Sequence, residues 1–210
     1  MESDLFDLYE ELDTFELDER FSRPIWEFYF SLRSLMKYWI LTRDLMGSKI
    51  YANSDFFDEL DYDDEASSDY INIPYIQRNH TICTGYTLVE VLLREVCKEL
   101  DEDFVLNDKG SYIQQHYHYI RQHTSIRIAK NYMKDFDSFG QLRNYFIHQF
   151  KDFKLPEATI EHLNLISGDL LKIEKGVTNA HVEVLLKTLS NFGSDFQNSY
   201  WAAFDEDNES

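Results

Sequence analysis

An apolar stripe between residues 82 and 100 constrains this chain most. Ile82, Tyr86, Val89, Leu93, Val96 and Leu100 recur at alternating spacings of four and three, which places them on one face of an α-helix. A helix with one apolar face must bury it, so the stripe predicts a long helix from about Pro74 to Leu100 as the spine of a bundle. A second stripe, Ile25, Tyr29, Leu32, Met36 and Trp39, predicts a helix from a Ser22 N-cap, with Pro24 in its first turn, to about Met46. A third, Val182, Leu185, Leu189, Phe192 and Phe196, predicts a last helix capped by Thr178. Seven glycines and three prolines in 210 residues are too few for the tight turns of a sandwich or barrel. The predicted fold class is all-α.

Weaker signals fill the remainder. Leu5, Leu8, Leu12 and Phe15 suit an acidic helix over 4–19. Asp108-Lys109-Gly110 breaks the chain before a third core helix over about 111–134, and Asp137 or Ser138 then caps a short fourth helix. Residues 158–176 are ambiguous. Thr159-Ile160-Glu161 and Leu171-Lys172-Ile173 flank Ser167-Gly168-Asp169 as the arms of a small β-hairpin would. The predicted organisation is an acidic N-terminal segment (1–21), one helical domain (22–203) with an acidic loop at about 47–73, and an acidic tail (204–210).

The formal charge of −19 argues against a uniform nucleic-acid-binding surface, but the charge is segregated. Residues 1–19 carry nine acids and no lysine or arginine. Residues 111–154 carry seven bases against three acids, with four of the seven histidines. Cys83 and Cys97 fall on one predicted helix about 21 Å apart, too far to bridge, which favours a reducing compartment. With no basic-apolar leader and no apolar run of bilayer length, the expectation is a soluble cytoplasmic protein without a membrane partner. No phosphate loop, serine elbow or CxxC pair occurs in the sequence. His116 and His118, on one helix, point about 200° apart, so no metal site or cofactor is expected.

The basic region contains Gln141-Leu142-Arg143-Asn144-Tyr145-Phe146-Ile147-His148-Gln149-Phe150. Asn144 and His148 share a helical face, with Gln141 and Lys151 along the same row. Arg143 lies about 140° round the helix from His148, and its long stem lets the guanidinium reach toward the histidine face. Arginine holds phosphate and histidine moves protons near neutral pH. An arginine with histidine five residues on is expected by chance roughly 0.3 times in this composition, and roughly 0.016 times with asparagine after the arginine. Arg127 and Lys130 add phosphate-binding charge, and Tyr145 a surface for base stacking.

Arg143-Asn144-Tyr145-Phe146-Ile147-His148 resembles the motif of HEPN domains, an arginine, a polar residue and a histidine after four to six intervening positions. The helix order over roughly 22–203 is similar to the HEPN up-down bundle of four to five main helices. The resemblance implies a metal-independent endoribonuclease whose motif helices from two subunits meet in one composite cleft. His148 would be general acid or base, Arg143 would bind the scissile phosphate, and Asn144 would orient either. The implied partners are RNA, a second copy of the chain and an antitoxin or regulatory protein, in the setting of a toxin or phage-defence effector. The acidic segments 1–19 and 55–69 would then cover the basic cleft. The alternative is a non-catalytic helical interaction module, either an antitoxin-like partner or an acidic nucleic-acid mimic.

Overall fold

The computed structural model describes residues 2–13, 22–52, 64–106, 111–148, 154–171 and 176–205. These form seven helices: α1 (Glu2–Asp13), α2 (Arg23–Ala52), α3 (Asp64–Leu100), α4 (Tyr112–His123), α5 (Lys130–His148), α6 (Glu157–Ser167) and α7 (Asn179–Asp205). No strand occurs among the described residues, and the fold is all-α. No described helix is long and apolar enough to cross a membrane.

Helix α3 is the centre of the bundle, packing against α2, α4, α5 and α7. Its stripe behaves as the spacing dictates: Ile82, Tyr86, Val89, Leu93 and Val96 are buried, while Leu100 packs on the core from a partly buried position. The α2 and α7 stripes face the same core, and every residue predicted for them is buried. Phe192 sits at the aromatic centre. Its ring meets Phe28, Tyr132 and Phe136 edge-on at 6.2, 5.7 and 5.0 Å, the offset geometry favoured by ring quadrupoles.

Close helix approach depends on small residues. A Cβ at Gly140 on α5 would lie 2.7 Å from the Tyr86 hydroxyl and 2.8 Å from its ring, so the missing side chain is what admits Tyr86 against the α5 backbone.

Several predicted boundaries differ. The acidic loop at 47–73 shrinks at both ends, because α2 continues to Ala52 and α3 starts at Asp64. Pro74 therefore lies inside α3 and not in its first turn. Residues 53–63, like 14–21, the predicted break at 108–110 and the tail from 206, fall outside the described residues.

The predicted helix over 111–134 is interrupted at 124–129. Thr124 is extended (φ −141°, ψ 167°), and its hydroxyl donates to the Ile120 carbonyl at 2.7 Å while accepting the Ile126 N–H at 3.2 Å. This local bonding competes with helix continuation. Helix α5 then starts at Lys130, so neither Asp137 nor Ser138 is a cap; the Ser138 hydroxyl donates back to the Lys134 carbonyl inside the helix.

The hairpin near 158–176 does not form: Thr159-Ile160-Glu161 are in α6. Pro156 precedes the helix, and Gly168 ends it with φ +68° while its N–H bonds the Asn164 carbonyl. A proline entry and a left-handed glycine exit are helix punctuation. Between them, Leu163 is buried and Ile160 and Ile166 pack on the core.

Thr178 precedes α7 as predicted, with an unpredicted partner. Its backbone N–H donates to His181 Nδ1 at 3.2 Å, and its hydroxyl lies 2.8 Å from the same nitrogen. His181 occupies the third helical position, where a capping box usually holds Glu or Gln. The imidazole is fully buried, and burial pushes its pKa below the ordinary value of 6.5. Burial does the same to His116.

Two predictions follow from this packing. Phe192→Ala should cost about 3–5 kcal/mol, read by urea unfolding. His181 is held neutral when folded, so its contribution is intact above the unfolded pKa. It is lost as pH falls through about 6.5 toward the folded value, because the unfolded chain takes up the proton first. Comparison of urea midpoints at pH 7.5 and 5.5 should show wild type losing more on acidification than His181→Gln, a difference that cancels changes in carboxylate repulsion.

Candidate functional site

The motif residues lie on the last two turns of α5. His148 is its final described residue and is exposed; Asn144 is half-buried one turn earlier on the same face. Leu142 is buried on the opposing side and Phe146 partly so. Tyr145 is half-buried, with its ring edge-on to Phe146 at 5.8 Å. Lys151 and Phe150 fall outside the described residues.

Arg143 does not curl toward the histidine face. Its guanidinium turns to α3, with Nη2 3.9 Å from Glu90 Oε2 and the guanidinium carbon 5.6 Å from the Tyr86 ring centroid. Tyr86 and Glu90 are one turn apart on α3, as Gly140 and Arg143 are nearly one turn apart on α5. The contact that seats Tyr86 against Gly140 therefore also supplies the ring and carboxylate that draw Arg143 in. Cation–π attraction and an opposite charge both favour this conformation.

The guanidinium side chain remains 28% exposed and Glu90 17%. At 3.9 Å the Glu90 contact is an ion pair too long for a hydrogen bond, so it orients the group without committing its N–H donors. Burial pushes the Glu90 carboxyl above its ordinary value, opposed by Arg143 and then Arg94. Burial also raises Tyr86 to about 12, followed by the effect of Glu90. The Cys83 thiol is raised by burial, and the charge of Arg143 acts in the opposite direction.

Arg127 and Lys130 are not gathered with this pair. Lys130 opens α5, about 20 Å along the axis from Arg143 and about 27 Å from His148. Arg127 lies in the connection before it, its Nη1 donating to the Thr124 and Ile126 carbonyls at 3.0 and 2.7 Å. The row between the two ends is bridged by side chains. Gln141 binds Asp137 at 3.5 Å and Thr159 of α6 at 2.5 Å, and Gln114 of α4 reaches Asp137 at 3.4 Å.

Sequence reasoning missed Tyr86 and Glu90 as partners of Arg143. Their signal was weak: a carboxylate four residues after a tyrosine on the central helix, with nothing to say which helix faces them. It also missed His162, whose Nε2 lies 2.8 Å from Asp135 Oδ1 in a mostly buried pair joining α6 to α5. Of the helix α4 histidines, His116 is buried and His118, predicted to point away from it, is exposed; His123, at the helix end, is exposed as well although its spacing places it on the face of His116.

The N-terminal acidic segment packs elsewhere. Helix α1 lies on α2 and α7, with Leu5 buried and the Arg33 guanidinium carbon 6.0 Å from the Tyr9 ring centroid. Its described part therefore makes its contacts away from the α5 motif. The remainder of 1–19 and most of 55–69 lie outside the described residues or have only their backbone described.

Gly140→Ala should force Tyr86 from its seat. The overpacking should cost about 1–3 kcal/mol, read by thermal or urea unfolding. The NMR ring resonances of Tyr86, assigned by comparison with Tyr86→Phe, should shift with it.

Comparison with protein-family models, with curated proteins and with solved structures returns no match for this chain.

Proposed function

We propose that this chain is an endoribonuclease of the HEPN type, acting as a homodimer through Arg143, Asn144 and His148. One observation carries the reading: Arg143 is fixed in direction by Tyr86 and Glu90, remains partly exposed, and among the described residues forms no hydrogen bond that would saturate its donors. A guanidinium held in this way is preorganised for a phosphate and for the charge that develops on it in the transition state. His148, exposed at the helix end, supplies proton transfer near neutral pH.

The proposed reaction is an internal displacement. His148 takes the proton of a ribose 2′-hydroxyl, and the 2′-oxygen attacks the adjacent phosphorus. The P–O5′ bond breaks, and the departing 5′-oxygen takes a proton from His148 of the partner subunit. The products are a 2′,3′-cyclic phosphate and a 5′-hydroxyl. Arg143 contacts the non-bridging oxygens throughout, and Asn144, on the histidine's face, orients the imidazole. One motif helix holds one imidazole, so two protonation roles favour two copies of the helix at the cleft. Ile147, half exposed one residue before His148, is an apolar residue for such a contact to bury.

A second reading rests on a different surface. Phe30, Tyr38 and Leu41 are exposed along α2, and Phe30 and Tyr38 line a groove with His80, Thr84 and Leu88 of α3. An apolar strip of this kind suits a helical interaction module that binds a protein without catalysis.

The deciding assay is cleavage of a single-stranded RNA in EDTA. Wild type should give cyclic-phosphate ends. His148→Ala should reduce kcat/KM by about 10²–10⁴-fold, and Arg143→Ala by about 10²–10³-fold. Equal cleavage by all three proteins, or none by wild type, would leave the interaction-module reading.

A further inference from the structure

A separate groove of about 670 Å³ lies at the opposite end of α5, between α4, the 124–129 connection and the first turn of α5. Its apolar surface comes from Tyr117, Ile128 and Met133, and Arg121, Arg127 and Lys130 bring three cations to it. All three are exposed, and among the described residues no carboxylate pairs with any of them. In a chain of net charge −19, three cations lining one groove with no counter-charge among the described residues repel one another, and a bound anion offsets that repulsion.

The groove is built, not incidental. The 124–129 connection is tied down at two adjacent residues: the Arg127 N–H donates to Ser199 Oγ of α7 at 2.7 Å, and the Ile128 N–H donates to the Tyr117 hydroxyl at 2.9 Å. The Tyr117 hydroxyl in turn donates to the Ile128 carbonyl at 3.3 Å. The Arg127 guanidinium is fixed through one nitrogen to two backbone carbonyls, leaving its other N–H groups for a ligand. The Arg121 guanidinium carbon stands 5.9 Å from the Tyr117 ring centroid, a planar cation beside a planar ring. A volume of this size suits a small ligand, and apolar and planar walls beside cations suit a heterocyclic base carrying a phosphate.

We propose that this groove binds a nucleoside monophosphate or a close relative, with the phosphate held by Arg121, Arg127 and Lys130 and the base against Tyr117, Ile128 and Met133. The ligand is a free nucleotide and not a strand running to His148. The two ends of α5 are about 27 Å apart, and Asp137 with its Gln114 and Gln141 partners interrupts the row between them. The inference does not depend on the cleavage reading.

Isothermal titration of the full chain in low salt tests it, with inorganic phosphate, AMP and hexauridylate as probes. The His148→Ala protein is included so that binding is measured without cleavage. AMP should bind at least about tenfold more tightly than inorganic phosphate, because the base adds apolar contact with Met133 and the accessible edges of Tyr117 and Ile128. Lys130→Ala and Arg121→Ala should each weaken AMP by about three- to tenfold, through loss of a phosphate contact. Arg127→Ala should weaken it further; because this change also touches the connection, the other two exposed substitutions carry the test. His148→Ala should bind AMP as wild type does. Equal affinity for AMP and phosphate, unchanged AMP binding in Lys130→Ala and Arg121→Ala, or hexauridylate binding without AMP binding would each overturn the proposal.

Discussion

The burial of α3 is the constraint on which the rest of the structure depends. Four helices pack around it, and each must match a face already set by its stripe. The α5 contact is the most demanding, because Tyr86 is too large to sit against a helix backbone unless that backbone lacks a side chain. Gly140 meets that requirement. With Tyr86 in place, the rotation and height of α5 are fixed, and Arg143 comes to lie over the ring and beside Glu90. The direction of the candidate phosphate-binding group is thus a product of core packing, not of the motif's own helix.

This explains why some of the molecule was legible in the sequence. The stripes of α2, α3 and α7 report burial directly, since a 3.6-residue period has one inward face. The spacing of Arg143, Asn144 and His148 on one helix was equally legible. Tyr86 and Glu90 were not, because they lie some fifty residues earlier on another helix and local periodicity says nothing about which helices face each other. The hairpin expectation gave weight to β-branched residues in Thr159-Ile160 and Leu171-Lys172-Ile173. Pro156 and Gly168, read as the entry and exit of a helix, would have corrected it. The break at 124–129 was masked by a continuous supply of apolar and basic residues, and is produced by the Thr124 hydroxyl competing for backbone partners.

Charge is arranged in parallel with this packing. The described acidic N-terminal helix is used structurally, on α2 and α7. The basic residues of the central region divide between two places that the sequence merged into one. Arg143 belongs with α3 at the C-terminal end of α5, whereas Arg127 and Lys130 belong with α4 at its N-terminal end. A single cationic track along α5 is ruled out by the Asp137 bridge between them. Two anion-recognising ends, one proposed for cleavage and one for a nucleotide, are the simpler account of this segregation.

The central functional claim is that Arg143 and His148 act in a cleft shared by two subunits. Subunit mixing tests it most directly. Wild-type and His148→Ala proteins are exchanged in mild denaturant and refolded together at varied ratios, so that mixed dimers carry one intact histidine. Because the imidazoles of both subunits serve one cleavage event, the account predicts that activity falls as the square of the wild-type fraction. Activity that falls linearly with that fraction, with mixed dimers verified by mass, would contradict a shared cleft.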